Sequence, residues 1–409
     1  MPVKLAYIVS RFPHLSETFI LREMNALGKL GWSIELFPLI YQKQEVVHKQ
    51  AIPWLEHIHR LPWLSVEILL ANFKELFHRP WLYLSLWKQV LSENIHSLNF
   101  LVRAVVLFPK AVLMAKIMRN KTIDHIHAHY ATHPALVAWI VHQLTGITYS
   151  VTVHAHDIFV EESMLSTKLR DSIQIVAISE YNKMYLRKKL GSWIDDITQV
   201  IHCGVDLDLY SVHNHQFEKS ETYEIISIGS LQPYKGHQYL IQACALLRDR
   251  GLKFHCRIIG GGSLLPELTL LINANNLNGM VKLLGPKNQD DIAHILSSAD
   301  CYVQPSVVTP SGKMEGIPVA LMEAMVSGVP VVASSLSGIP ELVKENATGW
   351  LVPPGDAQKL AETIMQVRDN PMEALARSQS ARRLVLEEFE LNTNVQKLSH
   401  FFHQITTSL

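Results

Sequence analysis

The stretch from Gly312 to Ala333, GKMEGIPVALMEAMVSGVPVVA, constrains the fold more than any other part of this sequence. Gly316 and Pro318 bracket a helix start, because a proline ring suits the first helical turn and lacks only an N–H that would have no partner there. Gly328 suits the left-handed position after the helix, and 330–333 predicts a short buried strand. The helix carries an apolar stripe at helical spacing, namely Val319, Met322 and Val326.

Two carboxylates belong to this unit, Glu315 just before the helix and Glu323 eight residues later. Taken singly, they would be a solvated loop residue and a surface helix residue. A helix N-terminus, however, binds anions such as phosphate, and carboxylates beside it can accept hydrogen bonds from sugar hydroxyls. The stretch resembles the Glu-x7-Glu signature of the retaining GT-B glycosyltransferases of family 4. In that family the second glutamate holds the nucleotide ribose and the first contacts the donor sugar.

Length and composition agree with a two-domain globular protein. A chain of 409 residues is too long for one ordinary core. A net charge of zero gives no indication of nucleic-acid binding. Four cysteines without metal spacing suit a reducing cytoplasm. We find no signal peptide and no apolar run of the roughly 18–20 residues that span a bilayer, so we expect a cytoplasmic protein.

Strand and helix patterns alternate in both halves of the chain, which predicts an α/β protein with two Rossmann-like domains. With the family resemblance, the expected fold is GT-B, in which the domains face a central cleft and the last helix crosses back to the first domain. The expected bounds are 1–206 for the N-terminal acceptor-binding domain, 207–222 for a linker, 223–385 for the C-terminal nucleotide-sugar domain and 386–409 for the returning helix.

The resemblance also implies a donor site in the second half. Lys235 and Gly236 resemble the diphosphate-binding pair of the family, in which lysine offers a mobile charge to phosphate. Ser230 departs from the family, which usually has arginine there, and Arg11 or Lys313 are candidates to replace that cation. The implied donor-binding residues are Gly229, Ser230, Lys235, Glu315, Gly316, Ile317, Pro318 and Glu323.

In the first half, His154 matches the histidine that the family places beside the donor sugar. The candidate catalytic residues are therefore His154, Glu315 and Lys235. The loop that begins at Arg11 replaces the usual glycine-rich loop, and either a family variant or a simple capped turn would explain it. Residues implied on the acceptor side or in the cleft are Arg11, Ser16, Glu17, His129, His156 and Asp157.

Three histidines, His125, His127 and His129, alternate along an extended segment and fall on one side of it. Such a set raises the question of a metal site. No carboxylate or cysteine completes it and a helix begins near Pro134, so we predict no metal there.

The segment 42–121 differs in composition from the rest. It holds eleven lysines and arginines against five glutamates, a net charge of +6. Apolar residues recur at helical spacing and predict amphipathic helices: Val66, Leu69, Leu70, Phe73 and Phe77. Basic amphipathic helices with aromatic residues suit a membrane surface. Ordinary helices packed on the first domain are an equal alternative, and the sequence does not decide between them.

The function implied by the resemblance is transfer of a sugar from a UDP- or GDP-linked donor to a hydroxyl of a saccharide or lipid-linked saccharide, with retained anomeric configuration. Bacterial surface or exopolysaccharide biosynthesis is the expected setting, without nucleic-acid partners. Lys235 and the helix amides would stabilise the leaving diphosphate without a cofactor or metal. The alternative is a non-catalytic carbohydrate-binding or scaffold protein with the same fold, supported only by Ser230 and the unusual first loop.

Overall fold

The computed structural model describes residues 3–13, 18–42, 51–160, 162–210 and 221–407. Ser16, Glu17 and most of the predicted linker lie outside these residues. The chain divides into two compact units, Met1–Ile201 with Val395–Leu409 and His202–Asn394. The division thus falls a few residues before the predicted domain end at 206.

The first unit contains a parallel sheet of six strands in the order β2-β1-β3-β4-β5-β6. Its central strands are buried along their length, as expected for a parallel sheet covered on both faces. β2 and β3 lie on opposite sides of β1, so the chain reverses its direction of winding there. In sheets of this type ligands bind at the carboxyl ends of the strands beside such a reversal. The strands are β1 (Lys4–Phe12), β2 (Ser33–Tyr41), β3 (His125–His129), β4 (Thr148–Val153), β5 (Gln174–Ala177) and β6 (Thr198–Val200).

Within the described part of the first unit, eight helices lie between these strands. Gly31 follows the first helix with φ of +90°, a left-handed conformation that suits glycine. Ser179 caps the last helix of this set, because its hydroxyl accepts from the amide of Asn182 at 3.0 Å. The helices are α1 (Thr18–Lys29), α2 (Val66–His78), α3 (Pro80–Asn94), α4 (Leu98–Asn120), α5 (His133–Thr145), α6 (His156–Phe159), α7 (Leu165–Arg170) and α8 (Glu180–Leu190).

The alternating histidines of β3 are fully buried and point to one side, as predicted. Strand β4 carries hydroxyls at the same spacing, and the parallel register sets His127 beside Ser150 and His129 beside Thr152. Both ring nitrogens of His127 lie 2.8 Å from these two hydroxyls. Hydrogen bonding therefore offsets the cost of burying polar rings in the centre of the sheet.

Helices α2, α3 and α4 bear on the two alternatives for the segment 42–121. The stripe of α2 that periodicity marks as apolar is exposed, and Phe77 shows 75% of its surface. The buried contacts of α2 come from Ile68 and Ala71 instead. Simple packing of this stripe on the domain is therefore wrong. Among the residues described, no helix combines the length and apolar character required to cross a bilayer.

The second unit has its own parallel sheet of six strands, in the order β12-β11-β10-β7-β8-β9. Here the reversal lies between β7 and β10, which pair with each other. Neighbouring strand residues such as Ile225 and Ile226 belong to different apolar clusters, because successive side chains point to opposite faces. The strands are β7 (Tyr223–Ile228), β8 (Phe254–Ile259), β9 (Val281–Leu283), β10 (Cys301–Gln304), β11 (Val331–Ser334) and β12 (Trp350–Val352).

Seven helices of the second unit cover the two faces of this sheet, so each apolar cluster lies between strands and helices. The first of these helices begins at His237, directly after Gly236, and ends at Asp249. The helices are α9 (His237–Asp249), α10 (Leu265–Ala274), α11 (Gln289–Ser297), α12 (Val319–Val326), α13 (Ile339–Leu342), α14 (Ala357–Asp369) and α15 (Pro371–Glu388).

The last helix, α16 (Leu391–Thr407), returns to the first unit. The indole N–H of Trp32 donates to the hydroxyl of Ser399 at 2.8 Å, and Phe402 packs edge-on against the same indole. The predicted start at 386 is wrong. The carboxylate of Glu390 accepts the amides of Asn392 and Thr393, which begins a new helix after α15 has ended.

Candidate functional site

The loop after β7 carries Lys235 across the end of its own strand. A Cβ atom on Gly229 would lie 3.1 Å from Cδ of Lys235, so the glycine leaves room for the lysine stem. The Nζ atom of Lys235 reaches Oε2 of Glu315, in the loop after β10, at 2.5 Å. The structure thus brings together three predicted site residues at the reversal of the second sheet.

Gly236 explains why these two loops lie so close. It has φ of +69°, and a Cβ atom there would lie 1.8 Å from the carbonyl oxygen of Pro305. The amide of Val307 donates to the carbonyl of Tyr234 at 2.9 Å, which ties the same loops together. Only glycine permits this approach of two backbones.

We expect Gly236→Ala to destabilise the second unit by more than the left-handed backbone alone requires, which is about 1–2 kcal/mol. Gly251→Ala is the matched control, because Gly251 has φ of +81° but nothing within 4 Å of its missing Cβ. Urea unfolding of both variants measures the difference. Equal losses of unfolding free energy would show that the approach to Pro305 does not constrain position 236.

The pair of Lys235 and Glu315 is largely shielded, with each side chain 12% exposed. Burial by itself would lower the pKa of Lys235, but the charge of Glu315 and the neighbouring Tyr234 outweigh it and hold the pKa above its ordinary value. The ammonium group is therefore charged, and Glu315 is its partner.

A second cation shares the surroundings of Lys235. Nζ of Lys313 lies 4.7 Å from the ring centroid of Tyr234, and Nζ of Lys235 lies 5.3 Å from the same centroid. A turn holds Lys313, since the amide and hydroxyl of Thr309 donate to its carbonyl at 2.9 and 3.1 Å. One tyrosine ring therefore gathers two ammonium groups near the loop where Ser230 replaces the expected arginine.

Glu323 is buried on α12, with 5% of its surface exposed, so the surface alternative for this residue is wrong. Burial, followed by the charges of Glu323 and Glu315, raises the pKa of Tyr302 on β10. Both carboxylates therefore lie close enough to this phenol for their charges to raise its pKa. The phenol stays protonated and donates to Oε1 of Gln304 at 2.7 Å.

The start of α12 corrects one prediction. Pro318 is the residue before the first helical turn, with extended backbone at ψ of 121°, and the helix begins at Val319. No side chain caps this end, and the carbonyl of Pro318 accepts the amide of Leu321 at 3.1 Å. Gly316 and Ile317 are buried in the segment that leads to the helix. Uncapped amides at such an end are suited to an anion.

In the first unit, His154 follows β4 in a tightly held turn. Its amide donates to both carboxylate oxygens of Asp157, at 2.9 and 3.1 Å, and the amide of Ala131 donates to Oδ2 at 2.7 Å. Burial raises the pKa of Asp157 to about 6, although these amides oppose the rise. Asp157 therefore shapes the turn through backbone contacts.

The ring of His154 is buried and packs against Phe19 and Tyr130, with centroids 5.1 and 4.6 Å away. Burial lowers the pKa of His154 well below its ordinary value, so the ring is neutral. Its Nε2 lies 3.4 Å from Nδ1 of His129. Nε2 of His129 in turn lies 3.0 Å from Oε1 of Glu23 on α1.

Glu23 corrects the prediction that no carboxylate joins the histidines of β3. Ligand atoms of Glu23, His127 and His129 lie within 4.8 Å of one another, a grouping that could hold a metal ion. Both nitrogens of His127 already contact the hydroxyls of β4, and Oε1 of Glu23 contacts Nε2 of His129. These hydrogen bonds account for the geometry of the group, so the residues do not form a ready metal site.

The remaining predicted residues are more exposed. Arg11 and His156 both face solvent, while Ser16 and Glu17 fall outside the described ranges. Sequence reasoning missed Glu23, Tyr234 and Tyr302. Tyr234 could have been found, because it directly precedes Lys235, whereas the other two carry no local signal.

Comparisons with known proteins agree with this geometry. The family model of glycosyl transferases group 1 matches residues 212–384, and that of glycosyltransferase family 4 matches 16–209. The amylovoran biosynthesis glycosyltransferase AmsK of Erwinia amylovora is 40% identical over 98% of this chain and 100% of its own length. The putative colanic acid biosynthesis glycosyltransferase WcaL of Escherichia coli is 29% identical over 88% of this chain and 90% of its own.

Solved structures support the same fold. HepE of Anabaena, in complex with UDP and glucose, has a TM-score of 0.73 at 19% identity and covers 98% of this chain and 99% of its own. The sucrose-phosphate synthase of Thermosynechococcus elongatus also has a TM-score of 0.73, covering 100% of both chains. The chain therefore has the GT-B fold and belongs to the family 4 glycosyltransferases, among those of exopolysaccharide biosynthesis.

Proposed function

We propose that this glycosyltransferase moves a sugar from a UDP- or GDP-linked donor to a hydroxyl of a saccharide or lipid-linked saccharide, with retained anomeric configuration and without a metal. The observation that carries the proposal is the shielded pair of Lys235 and Glu315 at the reversal of the second sheet. A cation for phosphate and a carboxylate for sugar hydroxyls lie together there. The complex of HepE with UDP and glucose supports a nucleotide and a sugar as ligands.

The chemical task is to stabilise the leaving nucleoside diphosphate. When the bond between the anomeric carbon and the phosphate oxygen breaks, negative charge collects on the diphosphate, and fixed donors aimed at that charge lower the barrier. In our proposal the ammonium group of Lys235 leaves Glu315 and binds the diphosphate. Lys313 and the first amides of α12 also contact the diphosphate. Glu315 is then free to accept a hydrogen bond from the donor sugar.

The acceptor oxygen forms its new bond to the anomeric carbon on the face that the diphosphate leaves. The proton of the acceptor hydroxyl passes to the departing phosphate oxygen, so atoms and charge balance without a protein nucleophile. Glu315 and Glu323 are binding groups in this scheme, unlike the paired carboxylates of glycoside hydrolases. We assign neutral His154 to the donor sugar from the family resemblance.

Release of nucleoside diphosphate tests the proposal. Purified protein is incubated with UDP- and GDP-linked sugars and short saccharide or lipid-linked acceptors, with and without EDTA. We expect acceptor-dependent release of one diphosphate, unchanged by EDTA, and a product with the anomeric configuration of the donor. Binding of a nucleotide sugar without release would favour the non-catalytic carbohydrate-binding alternative.

We also propose that the acceptor side of this protein meets the surface of an anionic bilayer. Helices α2, α3 and α4 expose large apolar side chains, and Trp81 shows 85% of its surface. Exposed cations lie among them, including Lys74, Lys88 and Arg103. We call this set the apolar surface: Leu64, Val66, Leu69, Leu70, Phe73, Phe77, Trp81, Leu84, Ile95, Leu98 and Val102. Apolar groups beside cations fit the boundary between acyl chains and anionic headgroups.

Co-sedimentation with vesicles of phosphatidylglycerol and phosphatidylcholine tests this surface. We expect binding that weakens as salt rises, because charge attraction is screened over roughly 8–10 Å at physiological ionic strength. Phe77→Ser with Trp81→Ser should reduce binding several-fold, whereas Met372→Ser, an equally exposed apolar residue of the second unit, should not. Failure to sediment at low salt, together with concentration-dependent dimers in ultracentrifugation, would assign the surface to a second copy instead.

A further inference from the structure

We infer that Glu23 and His129 are positioning residues that fix the proton and the orientation of the His154 ring, so that His154 keeps its lone pair on Nδ1 as a hydrogen-bond acceptor. This inference rests on the proposed function, because it assigns His154 to the donor sugar. His129 contacts His154 directly and Glu23 contacts His129, and neither residue has a role in the scheme above.

The three side chains form one continuous row within the first unit. Oε1 of Glu23 lies 3.0 Å from Nε2 of His129, and Nδ1 of His129 lies 3.4 Å from Nε2 of His154. His129 is fully buried, whereas the side chain of Glu23 is 20% exposed. The row therefore runs from a partly solvated carboxylate through a buried ring to the candidate catalytic ring.

The far end of the row is also fixed. The O–H of Tyr7 donates to the same Oε1 of Glu23 at 2.9 Å. Burial, followed by the charge of Glu23, raises the pKa of Tyr7 well above its ordinary value, so this phenol keeps its proton. Glu23 must then act as acceptor from both neighbours, and His129 must carry a proton on Nε2.

The order of protons along the row follows from that step. A neutral imidazole carries one N–H and one lone pair. With Nε2 of His129 protonated, its Nδ1 accepts the Nε2 proton of His154. His154 is left with its lone pair on Nδ1.

The backbone around His154 supports the same orientation. Asn182 donates from Nδ2 to the carbonyl of His154 at 3.1 Å, while Asp157 holds its amide. The turn therefore fixes the main chain and the row fixes the ring. A sugar hydroxyl would meet a preset acceptor instead of a rotating ring, which favours the reactive arrangement of the donor.

Nitrogen NMR of the full chain labelled with ¹⁵N-histidine tests the order of protons. The signal of His154 is assigned by its loss in His154→Gln. We expect the wild type to show His154 protonated at Nε2, and Glu23→Ala to show a mixture of both tautomers. A wild-type His154 protonated at Nδ1, or a tautomer unchanged in Glu23→Ala, would overturn the inference. The wild-type spectrum alone suffices if Glu23→Ala does not fold.

Kinetics separate positioning from donor affinity. In Glu23→Ala we expect kcat to fall on the order of 10- to 100-fold, with nucleoside diphosphate affinity within about twofold of wild type. Glu23→Gln should recover part of the rate, because its amide oxygen can still accept from His129. Glu35→Ala is the matched control, since Glu35 pairs with His59 at 2.6 Å in the same unit, away from the row. An equal loss of rate in Glu35→Ala would show general destabilisation and overturn the inference.

These outcomes remain distinct from failure of the proposed function. If wild-type protein releases no nucleoside diphosphate from any donor, the proposed transfer fails. The proton order in the row would still be decided by the spectrum, because that measurement needs no turnover.

Discussion

Lys235→Ala is expected to lower the rate of sugar transfer by a factor of order 10²–10³, the scale seen when one oriented donor to a developing charge is removed. The arginine that usually shares the diphosphate in this family is Ser230 here. Lys235 is therefore the principal cation that the structure places against the candidate site, and its raised pKa keeps it charged. Initial rates of nucleoside diphosphate release at saturating donor measure the loss.

The contribution of Lys313 determines how much of the transfer rate Lys235→Ala loses. Its ammonium group shares the ring of Tyr234 with Lys235, so it can take part of the diphosphate charge. We expect Lys313→Ala alone to weaken donor binding, and Ser230→Arg to restore it in that background, because a guanidinium can bind phosphate through two hydrogen bonds.

Lys253→Ala is the control for general loss of positive charge, since Lys253 is an exposed lysine of the same unit with a long ion pair of 3.9 Å to Glu221. It should retain wild-type turnover. A Lys235→Ala enzyme that stays active would show that the donor phosphates bind elsewhere and that the resemblance at this loop misleads.

The strands and the second-unit site were predictable because their signals are local. Continuous apolar runs mark buried parallel strands, and the residues from Glu315 to Glu323 carry a long motif within one loop and helix. Lys235 follows a strand end at the family spacing. Its contact with Glu315 could be expected only through the resemblance, because nothing in the local pattern joins the loops after β7 and β10.

The row behind His154 could not be predicted, because it joins side chains of α1, of β3 and of the turn after β4, which only the fold brings together. Glu23 and His129 are separated by 106 positions in the chain. In the sequence, Glu23 looks like an ordinary helix residue. Its surroundings become apparent only in the fold, where the register sets Tyr7 beside His127. The packing of the apolar stripe of α2 could not be predicted for another reason. Periodicity shows that a helix has an apolar face, but it does not show what covers that face.

The two glutamates of the motif should affect different quantities. Glu315 contacts Lys235 at 2.5 Å, so Glu315→Gln removes the charge that holds this lysine and leaves the lysine available to phosphate. We expect Glu315→Gln to bind nucleoside diphosphate at least as tightly as wild type, while turnover falls, because the donor sugar loses its carboxylate. Calorimetric titration with UDP and GDP, beside rates of release, measures both effects.

Glu323→Gln should show the opposite pattern. Its carboxylate is buried on α12, and the resemblance assigns it to the ribose, where charge-assisted hydrogen bonds exceed neutral ones by about 1–2 kcal/mol in total. The expected result is weaker binding of nucleoside diphosphate with a smaller change in turnover at saturating donor. Both substitutions conserve side-chain size, so thermal melting of the two variants checks that neither unfolds the site. Equal losses of nucleotide affinity in the two variants would contradict this division of roles. Glu315 contacts Lys235, so its substitution should not weaken nucleotide binding, and only the substitution of Glu323 should.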